Sequence, residues 1–415
     1  MIELVDEGGY QAVTVRGLAR RAGVSTRAFY EHFANLEECF VATYERLIAT
    51  MARETVKQLG RADDWPERLQ PTLSAWARNL AAEPLAARFA LLEAPAAGPA
   101  VAGPMQRSWQ QFGALIRRCF LSKYDEFPLS PLLMHGILVG VARVARARLL
   151  AERTWELPEL AEGAAEWVLS LHSPAARNLE DLAARSTPSC SGDLFAIDAD
   201  GFDRPATGDD RAMILAAAAR LAASEGYDEL SVPRIRAAAG VSRRSFDAEF
   251  DGLKECFLEA LEFRAKRAFS SAIQRSGGGE DWPAAVYRTL VGLCAHIARD
   301  PERARAIFIE VFAVGMDGLR CRESLVGGIG EYLRTRAPVE QRPASLAAEA
   351  SAAAVWGILQ RHIVTRRTAA LPSIAPTLSY LVLAPGIGAP AAIEAIQAER
   401  KRSPIRRGAG ERGSH

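Results

Sequence analysis

The stretch AGVSTRAFYEHF, residues 22–33, decides the fold of this 415-residue chain. It reads as the turn and second helix of a helix-turn-helix. Gly23 can end one helix with a positive φ, and Ser25 can cap the start of the next. Val24, Phe29 and Phe33 then fall at helical spacing and are expected to face a core. Thr26, Arg27, Tyr30, Glu31 and His32 are left pointing outward. Upstream, Thr14 reads as the cap of a short helix through Ala22.

The same motif recurs. Residues 239–250 read AGVSRRSFDAEF, 217 positions later, and the offset holds without a gap well beyond the motif. Gly9-Tyr10 matches Gly226-Tyr227, Leu36 matches Leu253, and Glu38-Cys39-Phe40 matches Glu255-Cys256-Phe257. Asp64-Trp65-Pro66 matches Asp281-Trp282-Pro283, Pro84 matches Pro301, and Glu93 matches Glu310. Helical composition alone does not generate such a register, so the chain is read as two like units joined head to tail. About two turns of the helix starting near Asp210 have no counterpart ahead of Gly9.

The run TVRGLARRAGVSTRAFYEHFANLEECF, residues 14–40, resembles the DNA-binding domain of the tetracycline-repressor-type (TetR) family of transcriptional regulators. The resemblance implies an all-α fold. Each unit would be a helix-turn-helix domain followed by a helical effector and dimerisation body, the two units pairing within the chain as a pseudo-dimer. The implied divisions are a first reading head at 1–46, its body at 47–173 and a linker at 174–209. A second, degenerate head at 210–263, its body at 264–398 and a basic tail at 399–415 follow. Carried over position by position, the resemblance assigns Thr26, Arg27 and Ala28 to the base-facing start of the recognition helix. Tyr30 and His32 fall where the family meets phosphates or nearby bases, Arg16 where it reaches a base edge, and Thr14 and Ser25 at caps beside the backbone. The chemistry agrees: arginine can bond guanine O6 and N7 together, and hydroxyls and imidazole suit phosphate oxygens. Leu36 departs from the family, which usually has a lysine there.

Unit two departs further. Arg16 becomes Pro233, Tyr30 becomes Asp247 and His32 becomes Glu249. Residues 11–34 carry four arginines and one glutamate, whereas residues 228–251 carry four arginines and five acids. Acids facing phosphates repel them, so this head is expected to be degenerate, with Arg243 and Arg244 as weak phosphate contacts. Val241, Phe246 and Phe250 keep the core positions filled.

Net charge is only +1, so any DNA-binding surface must come from local segregation of charge. Six scattered cysteines without C-x-x-C spacing support neither a metal site nor a disulfide framework, and imply reduced thiols in a cytoplasm. Leu129–Ala142 reads as the most apolar stretch and is too short to span a bilayer, so no membrane partner is implied. No phosphate-binding loop, nucleophile elbow or H-E-x-x-H appears, which leaves catalysis and cofactors without support. His135, His172, His296 and His362 stand alone and read as ordinary histidines. Trp76, Phe89, Trp109 and Phe112 in unit one, and Phe308, Phe312 and Met316 in unit two, are candidate walls of an effector pocket.

The reading is therefore a cytoplasmic repressor of a double-stranded DNA operator, relieved by an unidentified small-molecule effector. The alternative is a helical ligand-binding or interaction scaffold that has lost DNA binding. The penultimate helices, expected at Pro131–Leu150 and Ala348–Thr365 with Gly140 over Gly357, carry apolar faces suited to mutual burial. Those faces hold Leu133, Ile137 and Val141 on one side and Val355, Ile358 and Leu359 on the other.

Overall fold

A computed structural model describes residues 1–59, 65–121, 129–177, 179, 209–275 and 281–402. Most of the expected linker, and the expected basic tail beyond Arg402, lie outside the described residues; the first residues of that expected tail, Glu399–Arg402, instead continue the last helix, with Glu399 buried. All regular structure among the described residues is helical.

Unit one opens with α1 (Ile2–Gly8), α2 (Val15–Ala22), α3 (Thr26–His32) and the long α4 (Leu36–Leu59). Its body continues through α5 (Trp65–Ala82), α6 (Pro84–Arg88), a π-helical segment at Phe89–Glu93, and α7 (Ala94–Ala96). It ends with α8 (Pro99–Leu121), α9 (Pro131–Leu150) and α10 (Leu160–Ser170). Unit two repeats the order as α11 (Asp210–Glu225), α12 (Val232–Ala239), α13 (Arg243–Glu249) and α14 (Leu253–Arg275). Then come α15 (Trp282–Arg299), α16 (Pro301–Phe308), α17 (Met316–Arg336), α18 (Ser345–Val364), α19 (Leu371–Ile387) and α20 (Ala389–Arg402). Prolines open several of these helices, where a missing N–H costs nothing.

The 217-residue offset aligns the starts of α2 to α6 and of α8 with those of α12 to α17 and then slips. α9 spans 131–150 and α18 spans 345–364, an offset of 214. α17 stops at Arg336, ahead of Pro338, because proline cannot continue a helix. The left-handed residues that end the two penultimate helices, Glu152 and Arg366, sit at the same shorter offset. Gly140 is thus equivalent to Ala354, and Gly357 to Arg143, which corrects the expected pairing of the two glycines.

Both glycines nonetheless serve close approach. A Cβ on Gly140 would fall 2.4 Å from the Trp167 ring and 2.8 Å from the Ala350 carbonyl; one on Gly357 would fall 2.5 Å from Val139. Among the described residues α9 and α18 form the most extensive helix pair, and with α10 and α19 they join the units. Leu133, Ile137 and Val141 are buried here, as are Val355, Ile358 and Leu359. Trp167 Nε1 donates to Ser351 Oγ at 3.0 Å, and that hydroxyl donates to the Leu381 carbonyl at 2.6 Å. One hydrophobic core runs continuously from Val5 to Ile396. Ala176 and Leu179, at the start of the expected linker, are buried in it, and Pro174–Arg177 forms a 3₁₀ turn instead of irregular chain.

Thr368–Ile387 is long and apolar enough to cross a bilayer, and more so than the stretch around Leu129. It is mostly buried here, with Leu371, Leu378, Tyr380 and Leu381 packed inside the protein.

His135 lies in the same interface. Burial first, and then the Arg361 charge, lower its pKa to about 4, against the weaker pull of the Gly357 carbonyl. Unfolding at mildly acid pH therefore protonates a ring that folding keeps neutral. The stability it contributes is complete above the ordinary value of 6.5 and declines as pH falls toward 4. By pH 5 this one group is expected to remove about 2 kcal/mol, read as a lower denaturant midpoint that His135→Gln makes less dependent on pH.

Candidate nucleic-acid interface

Three side-chain and backbone devices fix the first helix-turn-helix head. Thr14 accepts the Gly17 N–H at 3.1 Å and starts α2. Gly23 ends it at φ 69°, ψ 25°, a left-handed conformation that favours glycine. Ser25 Oγ then accepts the Ala28 N–H at 3.0 Å and starts α3. Beneath, Phe29 packs with Leu18 and Cys39 in a small core edged by Phe33 and Leu36.

α3 presents Thr26, Arg27, Tyr30, Glu31 and His32 to solvent. Tyr30 is 59 % exposed, and the Phe29 ring meets it edge-on with centroids 5.3 Å apart. Arg16 is exposed on α2 beside this surface, and Thr14 and Ser25 are exposed caps. Arg27 pairs with Glu31 at 3.4 Å, fully in water, an interaction weak enough to exchange for a phosphate or base. Arg21 differs: it is held by Glu3 at 2.9 Å and Glu7 at 2.7 Å, tying α2 to α1. Val24 is 49 % exposed and does not face the core as expected, because the left-handed turn at Gly23 carries it onto the surface.

The second head has the same backbone. Gly240 takes φ 70°, ψ 27°, and Ser242 accepts the Ser245 N–H at 3.0 Å. Its longer first helix gives it a larger core, with Ile214, Leu215, Ile235, Phe246 and Phe250 buried together. Its surface is altered. Arg243 Nε bonds Asp247 at 3.2 Å, so its charge is offset on its own helix, while Arg244 stays exposed. Glu249 is half-buried and bonds Arg211 at 2.9 Å; Arg211 also lies over the Phe250 ring. The acid that replaces the outward histidine anchors α11 to α13. It is a structural brace as much as a surface charge.

The bodies differ too. Unit one holds a cavity of about 90 Å³ against Trp76, Trp109 and Phe112, and another of about 210 Å³ between α4, α5 and α6. Unit two holds one of about 390 Å³, reached by Phe269, Phe308, Tyr332 and Trp356. Phe308 and Trp356 stack at 4.3 Å, and among the described residues Arg336 is the one charged side chain lining the space. Three expected wall residues lie outside these cavities. Phe89 stacks on Phe40 in the core, and Phe312 and Met316 pack beside unit one.

A feature unseen in the sequence joins the units. Arg143 and Arg146 of α9 and Arg322 of α17 are buried around Glu323, and Glu349 takes Arg143 and Arg148. Burial opposes ionisation of Glu323, but Arg322, Arg146 and Arg143 outweigh it and hold its pKa down to about 2. Burial likewise lowers Arg322, to about 10, against the pull of Glu323. The only sign of this in the sequence is arginine within an otherwise apolar helix.

The model for bacterial regulatory proteins of the tetR family matches residues 2–43 and again residues 214–260. Each match covers one of the two helix-turn-helix heads, and the family is one of DNA-binding transcription regulators. Among curated proteins no relative is found.

Proposed function

With a helix-turn-helix of the tetR family of bacterial regulatory proteins in each half of the chain, we propose that it is a repressor whose operator is read mainly by unit one. α3 would enter the major groove, with Thr26 and Arg27 toward base edges and Tyr30 and His32 toward the backbone. Arg16 adds a base contact from α2. The observation that carries this reading is the contrast between two heads of one backbone. Where unit one has Tyr30 and His32, unit two has Asp247 and Glu249. Arg243 and Arg244 leave unit two at most a weak phosphate contact.

In the proposed mechanism a small, largely apolar effector occupies the 390 Å³ cavity of unit two. α18 lines that cavity through Val355, Trp356 and Leu359 and packs against α9. α9 in turn touches the Phe89–Glu93 segment, which touches α1 under the first head. An effector favouring a different α18 position would thereby shift the head that reads DNA. The two units take the place of a symmetric dimer, so one chain is the functional entity.

Selection from random duplexes tests this reading. The full chain is expected to enrich a single motif with no inverted repeat. A palindromic motif, or none, would contradict it.

A further inference from the structure

Between α8 and α9 of unit one and α17 and α18 of unit two lies a separate cavity of about 90 Å³. It is not part of either body pocket, and both units build its walls. Trp109, Val139 and Phe312 are among its apolar walls, and Gln106, His135, Arg146 and Arg322 bring polar groups to it.

Three of those groups have a buried atom with no hydrogen-bond partner: Gln106 Nε2, Arg322 Nε and His135 Nδ1. The first two are donors. His135 Nε2 lies 3.4 Å from the Gly357 carbonyl, which can only accept, so Nε2 carries the proton and Nδ1 is a bare acceptor. Charge points the same way. Arg146 and Arg322 share Glu323 with Arg143, so three buried guanidinium groups face one carboxylate. Glu349, the other acid in the network, is divided between Arg143 and Arg148. Buried polar atoms and excess buried charge are each costly until matched.

One water needs about 10–15 Å³ of such space, so the cavity has room for about six to nine non-hydrogen atoms. We propose that it binds a small hydroxycarboxylate. The carboxylate accepts from Arg322 Nε and Gln106 Nε2, a hydroxyl donates to His135 Nδ1, and a short alkyl part lies against Trp109, Val139 and Phe312. Bound there, the ligand would bridge the two units and stabilise their pairing. No step of the DNA reading is needed for it.

The test uses the full chain, with sodium 3-hydroxybutyrate as probe, in thermal denaturation and titration calorimetry. The expected result is a saturable rise in Tm of about 2–4 °C, with matching heat of binding. Butyrate should bind more weakly, and butyramide or sodium chloride at the same concentration should give no saturable rise. Gln106→Leu removes a donor that no protein group uses, so the unliganded chain should keep its Tm and lose the response. Should that variant fold poorly, His135→Leu serves as the second, with the same loss expected. The proposal is overturned by an equal rise in sodium chloride, by butyrate binding as tightly as 3-hydroxybutyrate, or by a response retained in the variants.

Discussion

Alanine at both Tyr30 and His32 is expected to lower specific operator affinity at least about thirtyfold, at about 1–3 kcal/mol for each side chain removed from the DNA. Neither side chain supports the fold. Both are exposed, while Thr14, Gly23, Ser25 and Phe29, which shape the head, are untouched. The melting temperature should therefore be unchanged, separating an effect on binding from an effect on folding. Asp247→Ala in unit two is the matched control: it removes an exposed acid from the equivalent helix and should leave specific affinity where it was. Unaltered binding by the Tyr30/His32 double variant would mean that α3 is not the reading helix.

The largest effect on stability is expected from Glu323→Gln. Arg143, Arg146 and Arg322 would remain buried with only the shared, partly buried Glu349 nearby. Removing one partner from a buried ionic cluster typically costs about 3–5 kcal/mol, because the remaining charge is left without compensation. Set against a total stability of about 5–15 kcal/mol, that is at least about a fifth of the whole. The native carboxylate should show this in its pH dependence. Its folded pKa is about 2 against an ordinary 4.5, so its contribution is whole above pH 4.5 and is lost as pH falls toward 2. Denaturant titration of the variant measures the destabilisation. A change below about 1 kcal/mol would show that other groups balance those arginines.

The helix-turn-helix head is legible in the sequence because its turns demand particular residues. Gly23 and Gly240 both take the left-handed conformation, and Ser25 and Ser242 both cap the helix that follows. The repeat makes the second unit visible, and the helix starts follow its register as far as α8 and α17. Beyond that, sequence matching fails for a physical reason. α9 and α18 are apolar almost all round, so nothing in their pattern marks which face meets which, and a three-residue slip leaves no trace. The arginines of α9 are visible, but their partner Glu323 is 180 residues from Arg143 and only the folded chain brings it near. The walls of the cavities are half legible: Trp76, Trp109, Phe112 and Phe308 line space, whereas Phe89 fills core. Aromatic spacing along a helix does not distinguish a filled core from a hollow one.

A single chain, with one competent head and one silent head, is proposed as the unit that binds an operator. The mass of the complex formed on a selected operator, measured by light scattering or sedimentation with both components at micromolar concentration, decides this. One 44.9 kDa chain per duplex is expected, with protection confined to a single half-site. Two chains per duplex, with the first heads of both protecting symmetric half-sites, would contradict it.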